Sequence, residues 1–261
     1  MPKTKRLTQI QAGRLVSAVI YTQATIADEP PVRAAKQKIS SAARQRLNQK
    51  ASWQKLEYVT AANFDRDDLF LTLTYRDANL PKTREAAIRC CNAFLSLLRA
   101  QRHSRGEELL YIKNVEHLTD DESPGRWHHH LVINATGQDY EEIRGLWSRW
   151  GDNVDIELLL ADGQDYASRA RYMCKERPPA GKQTWTPSRN LIRPKPKSEL
   201  VDDSLTLAAP PGAIVLEQNQ IDNGWGSYVY IKYLLPYKPR RRVKPRRKRP
   251  PDKPQSHRDA F

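Results

Sequence analysis

"GRWHHHLVIN", Gly125 to Asn134, runs three histidines into a short apolar segment. Side chains alternate along a strand, so His128 and His130 share one face while His129 takes the other with Trp127 and Leu131. Two imidazoles at i and i+2 lie roughly 6.5–7 Å apart along a strand. At that spacing their ring nitrogens can converge on one ion, and neutral imidazole is the commonest side-chain ligand for transition metals and also serves manganese. The same row could instead be a polar strand edge that carries histidines by composition, so its neighbours have to decide.

Upstream, "ELLYIKNVEHL" (108–118) reads as a second strand, and "TDDESPG" (119–125) as the polar loop joining the two into a long hairpin. An antiparallel return brings Glu116 close to His128. A carboxylate beside two imidazoles makes a three-ligand site with open positions, suited to a hard divalent ion that also holds a phosphate oxygen. Glu116 could also be a solvated strand end.

The surrounding elements place this hairpin in an α+β chain, a central antiparallel sheet flanked by helices. "DDLFLTLTY" (67–75) alternates, with Leu69, Leu71 and Leu73 on one face and Phe70, Thr72 and Thr74 on the other. After Pro81, "TREAAIRCCNAFLSLLRAQR" places Ile88, Cys91, Phe94, Leu95 and Leu98 at helical spacing, with Thr83 as the cap. "GRLVSAVIYTQ" (13–23) is rich in β-branched residues and reads as a strand. Val32 to about Ala62 has no Gly or Pro and reads as one long helix with a loose stripe of Leu47, Trp53 and Leu56. "DYEEIRGLWSRWG" is a helix closed by Gly151, "VDIELL" a short strand, and "DYASRARYMCKE" (165–176) a further helix stopped by Pro178 and Pro179. A final hairpin pairs "GAIVLEQ" with "GSYVYIKYLL" around "IDNGWG".

Charge is unevenly distributed. The 261 residues carry a net +14, yet residues 1–57 hold +8, residues 238–261 hold +9 and the stretch between holds −3. Such basic arms imply a polyanionic partner. Nine of the twelve residues from 238 to 249 are cations: Lys238, Arg240, Arg241, Arg242, Lys244, Arg246, Arg247, Lys248 and Arg249. They are candidate DNA-binding residues whose contribution should fall steeply with salt. No run of apolar residues is long enough to span a bilayer, and "MPKTKRLTQIQAG" lacks the apolar core of a secretory signal. Three cysteines without a CxxC pair offer neither a disulfide framework nor a zinc finger, so a cytoplasmic setting is expected.

On the helix after "VDIELL", Tyr172 and Lys175 lie three apart and share a face. A phenol can act as a nucleophile when a nearby cation stabilises its oxyanion, and lysine supplies charge at a phosphate. Tyr166 lies about 120° round from Tyr172 on an ideal helix and reads as a packing residue.

In order along the chain, "NFDRDDLFLTLTY", a Glu ending one strand, "GRWHHHLVIN", "RYMCKE" and "TPSRNLIRP" resemble the HUH endonucleases. The similarity is closest to rolling-circle replication initiators and phage replication-associated proteins. It covers roughly Asn63 to Pro194. The resemblance implies a ferredoxin- or RRM-like core with the histidine strand in the middle of the sheet and the tyrosine helix packed across it. It implies that Glu116, His128 and His130 hold a divalent metal, Mg²⁺ or Mn²⁺. Tyr172 would attack single-stranded origin DNA to leave a 5′-phosphotyrosine link and a free 3′-OH, with Lys175 steadying the phosphate or the tyrosine. On this reading residues 1–62 are a basic strand and helix, 63–197 the nicking domain, 198–237 a hairpin extension and 238–261 a basic tail.

Two departures stand out. The family usually has an aliphatic residue between its ligand histidines, where this chain has His129; a shifted register would bring His129 into the site instead. Some relatives carry a second tyrosine at the position that is Ser168 here, which favours a single-tyrosine mechanism. No Walker A motif is present, since "AGKQT" lacks the leading glycine and the hydroxyl next to Lys182, so unwinding falls to a helicase from host or element, and a separate polymerase extends the 3′ end. The rival readings are a mobilisation relaxase or single-tyrosine transposase of the same superfamily, and a non-catalytic nucleic-acid-binding protein with structural histidines.

Overall fold

The computed structural model describes residues 4–23, 42–118, 124–160, 166–176, 182–223 and 226–237. Two antiparallel five-stranded sheets and four helices make up the described α+β architecture. The first sheet runs β6 (Asn153–Leu158), β3 (Leu69–Thr74), β5 (Pro124–Ile133), β4 (Tyr111–Leu118) and β7 (Trp185–Pro187). The histidine strand β5 is therefore central.

Alternation along β3 sorts the core into two layers. Leu69, Leu71 and Leu73 pack with Leu131 and Ile133 against Cys91, Phe94, Leu95 and Leu98 of α2 (Arg84–Ser104) and Ile143 and Trp147 of α3 (Asp139–Trp147). On the opposite face Phe70, Ile112 and Val132 meet Leu56 and Val59 of α1 (Ala42–Asn63) and Tyr166 and Ala170 of α4 (Tyr166–Tyr172). Thr83 caps α2, its hydroxyl accepting from the Ala86 amide at 3.2 Å. Of the expected α1 stripe, Leu56 is fully buried and Trp53 packs at the core edge, but Leu47 is exposed, because nothing in the described fold covers that early turn of the helix. The part of the expected helix before residue 42 lies outside the described residues.

The second sheet runs β8 (Lys197–Val201), β1 (Thr4–Ala12), β2 (Leu15–Gln23), β10 (Gly226–Leu234) and β9 (Ile214–Asn223). Strands near the two ends of the described chain thus share one sheet. Ala12, Leu15 and Leu234 extend the α1 core into it. The β1–β2 turn is pressed against the end of α1: Gly13 has φ +58, and a Cβ there would lie 2.2 Å from the Ala61 carbonyl oxygen. Only glycine meets both demands.

"TPSRNLIRP" acts as a strap. Ser188 donates its amide to the Tyr111 carbonyl at 2.8 Å and accepts the Tyr111 amide on its hydroxyl at 3.2 Å. Asn63 at the end of α1 exchanges two hydrogen bonds of 2.7 Å with the Ile192 backbone. The segment thereby fixes both the β4 edge and α1 around the sheet face that carries Glu116.

Candidate active site

The hairpin register settles which histidines face Glu116. Glu116 stands directly opposite His128 across β4–β5, and Asn114 opposite His130. His128 Nε2 and His130 Nε2 lie 2.9 Å and 3.0 Å from one Glu116 oxygen, Oε2. One potential ligand atom from each of the three residues falls within 4.8 Å of the others. Glu116 and His130 are buried and His128 is half-buried. The other carboxylate oxygen, Oε1, is buried with no hydrogen-bond partner among the described residues. A buried lone-pair oxygen without a donor is costly unless something else engages it.

His129 is turned the other way. Its Nε2 is 2.7 Å from the Tyr75 hydroxyl and its Nδ1 3.3 Å from the Asn114 carbonyl, inside the α2–α3 core beside Trp147. Burial holds its pKa down at about 3, so it is neutral. The shifted register that would have brought it into the site does not occur.

Electrostatics follow from the geometry. Burial pushes the Glu116 carboxyl up, but the hydrogen bonds from His128 and His130, the His130 charge and that of Lys175 outweigh it and hold the pKa at about 2. His128 is bonded at Nδ1 to the Arg126 carbonyl at 3.0 Å and at Nε2 to Glu116, two partners that only accept. Each ring nitrogen donates in this arrangement, and an ion on Nε2 would take the place of its proton. Burial works against the ring's positive charge, yet the Glu116 bond, the Arg126 carbonyl and the Glu116 charge raise the His128 pKa overall. For His130 burial prevails and lowers the pKa despite the same carboxylate.

Tyr172 ends α4, its side chain 39% exposed, with its ring centroid 4.8 Å from that of His130. Lys175 Nζ sits 4.4 Å over the Tyr172 ring and 3.4 Å from Glu116 Oε2. The expected helix through Glu176 is shorter: after Tyr172 the backbone tightens, Cys174 and Lys175 bonding three residues back to Arg171 and Tyr172. Carbonyls that would continue the helix are taken by side chains. Asn114 Nδ2 donates to Met173 O at 2.8 Å, and Gln49 Nε2 to Cys174 O and Lys175 O at 3.0 and 3.3 Å. Lys175 thus reaches the site from a turn. Pro178 and Pro179 lie outside the described residues. Tyr166 is buried and donates its hydroxyl to the Phe64 carbonyl at 3.1 Å, a packing role.

Sequence reasoning missed the residues that aim these groups. Thr72 Oγ1 is 3.1 Å from His130 Nδ1 and directs the other nitrogen at Glu116. Asn114 receives the His130 amide at 3.2 Å while holding the turn after Tyr172, so it ties histidine strand to tyrosine segment. The signal was present: Asn114 is two residues before Glu116, hence on its face, and Thr72 shares the Phe70 face of β3. The candidate DNA-binding cations Lys238, Arg240, Arg241, Arg242, Lys244, Arg246, Arg247, Lys248 and Arg249 lie outside the described residues.

This hairpin and the tyrosine turn fall inside one segment with a known counterpart. Residues 68–177 match the family of replication-associated proteins ORF2/G2P. No curated protein and no solved structure shows significant similarity to the chain. The ORF2/G2P match begins just before β3 and ends just after the tyrosine turn, so it contains Glu116, His128, His130, Tyr172 and Lys175 and leaves the second sheet outside. It supports a rolling-circle replication initiator and implies contact with DNA. No helix among the described residues is long and apolar enough to cross a membrane.

Proposed function

We propose that the chain is an HUH-type, metal-dependent single-stranded DNA endonuclease and strand transferase, which nicks an origin through a 5′-phosphotyrosine link to begin rolling-circle replication. The observation that carries this reading is the position of the Tyr172 ring, 4.8 Å from His130 on the face where Glu116 and His128 converge. Had the phenol been buried away from the imidazoles, a nickase would have had no nucleophile.

The three side chains suit a divalent cation. One carboxylate and two imidazoles form a donor set accepted by Mg²⁺ or Mn²⁺, and Glu116 Oε1, without a hydrogen-bond partner among the described residues, is a ready ligand. When bound, such an ion supplies Lewis-acid polarisation of a phosphate oxygen. The chain supplies the rest. Tyr172 Oη attacks phosphorus; its bond to phosphorus forms as the bond to the 3′ oxygen breaks, the phenol gives up its proton and the 3′ oxygen leaves as a hydroxyl. Lys175, over the ring, stabilises negative charge gathering on the phenolic oxygen and the phosphate. One phosphodiester is exchanged for another, so rejoining needs no ATP, and the released 3′-OH can prime a polymerase.

The test is incubation of the full chain with end-labelled single-stranded origin DNA and Mn²⁺. An SDS-stable protein–DNA adduct is expected, lost in Tyr172→Phe and in the His128→Ala, His130→Ala double variant. Adduct formation that persists in Tyr172→Phe would remove the assigned nucleophile. No adduct across a broad oligonucleotide set would leave a non-catalytic nucleic-acid binder.

A further inference from the structure

A cleft opens between α1 and β7, close to the tyrosine turn. It has a volume of about 410 Å³ and is lined by Lys55, Lys182, Arg193, Trp185, Ser52 and a few uncharged neighbours, with no acidic residue among the described lining. Lys55, Lys182 and Arg193 are exposed, and none of their side chains makes a hydrogen bond or ion pair with a described residue. Three cations around one concavity repel each other, and surface lysines and arginines ordinarily find a carboxylate or spread apart. Here they ring a half-buried indole.

That indole is held in place. Trp185 Nε1 donates to Ser52 Oγ at 3.2 Å, and its ring packs at the margin of the α1 core. Ser52 Oγ is also 3.9 Å from Cys174 Sγ, two residues beyond Tyr172, while Gln49 on the same helix grips the Cys174 and Lys175 carbonyls. Next along α1, Trp53 carries the Arg171 guanidinium 4.6 Å over its ring. Cations and aromatic faces therefore continue from the cleft to the segment that bears the nucleophile.

We infer that this cleft is a second binding site for the single strand, taking the backbone and one base next to the scissile position: Lys55, Lys182 and Arg193 meet phosphates and Trp185 offers a stacking face. The inference rests on single-stranded DNA being the substrate, as proposed above. A cavity of this size admits one nucleotide, within the range of about 300–1,000 Å³ common for ligand sites. Positive grooves with aromatic platforms are the general means of holding single strands without reading sequence. The cleft residues lie outside the ORF2/G2P match, so the site is a feature of this chain's own flanking segment.

The experiment uses the full chain in a Tyr172→Phe background without metal, binding a fluorescent oligo-dT by anisotropy over a salt series. Binding is compared for Lys55→Ala, Lys182→Ala, Arg193→Ala together and for a control set at exposed positions elsewhere, Lys82→Ala, Arg89→Ala and Arg149→Ala. The slope of log K against log salt is expected to fall by roughly two for the cleft set, at about 0.7 for each phosphate no longer neutralised, and to stay unchanged for the control set. Trp185→Phe keeps an aromatic face and should bind within about threefold of the parent, whereas Trp185→Leu, with its melting temperature checked, should bind roughly tenfold more weakly. Equal slopes in cleft and control sets, or equal weakening in Phe and Leu, overturn the site. Because no cleavage is involved, these outcomes are independent of the adduct assay: an adduct with unchanged slopes sinks the cleft alone, and a reduced slope with no adduct sinks the nickase alone.

Discussion

Glu116 and His128 face each other across the β4–β5 ladder, and the Glu116 oxygen that receives His128 also receives His130. This relationship concentrates the donor set on one carboxylate. Glu116→Gln keeps the shape but replaces an anion with a neutral amide. Titration of Mn²⁺ into the parent should raise the melting temperature, since a ligand at about a hundred times its Kd stabilises by about 2.7 kcal/mol. The same titration should leave Glu116→Gln nearly unmoved. An undiminished shift in the variant would show the ion binding elsewhere.

Lys175 makes a second, less obvious prediction. Its ammonium lies 3.4 Å from Glu116 Oε2, on the same carboxylate a cation would engage, so a bound ion and Lys175 repel. Lys175→Met should therefore bind Mn²⁺ several-fold more tightly by calorimetry while forming the DNA adduct at least about tenfold more slowly. Weaker ion binding in the variant would mean that Lys175 supports the site rather than competing for it.

His129 provides the internal control. Its hydrogen bond to Tyr75 lies on the opposite side of the sheet, and the Tyr75 hydroxyl, whose single proton goes to the neutral ring, also lies 3.1 Å from the Ala87 carbonyl. Tyr75→Phe strips a buried ring nitrogen of its partner, which should cost about 1–3 kcal/mol in urea unfolding. Mn²⁺ affinity should stay within about twofold, because the site's own side chains are untouched. A large drop in ion affinity would place His129 within the site's influence after all.

How far these residues were legible in the sequence depends on what each one packs against. β3, α2 and the β4–β5 hairpin were readable because each buries a whole face, which imposes a period of two or of 3.6 on the apolar residues. The same alternation separated His128 and His130 from His129. β8 was not readable: four of its five residues, Lys197 to Leu200, are exposed, so it carries no apolar pattern. β1, "TKRLTQIQA", is polar along most of its length and joins β8 through backbone hydrogen bonds, which any side chains allow. Its pairing with a segment almost two hundred residues away has no local signal. The early end of α4 was likewise invisible, because it depends on Asn114 and Gln49, which reach in from distant elements.

A charge buried in the α2–α3 layer was illegible for the same reason, and it governs acid stability. Arg102 is fully buried and donates to Asp139 Oδ1 at 2.6 Å, with Glu142 beside it. Burial raises the Asp139 carboxyl, but the Thr136 and Gly137 amides, the Thr136 hydroxyl and Arg102 together hold its pKa below the ordinary aspartate value. A depressed carboxylate contributes stability that is present above its unfolded pKa and is lost as pH falls through the folded one. Asp139→Asn leaves Arg102 buried without its closest anion, at a cost of roughly 3 kcal/mol near neutral pH. Urea unfolding of parent and variant should therefore differ most above about pH 5, and the two should converge as pH falls below the ordinary aspartate value of about 4. A gap that stays constant over that whole window would mean that Asp139 acts through shape and hydrogen bonding, with its charge contributing nothing.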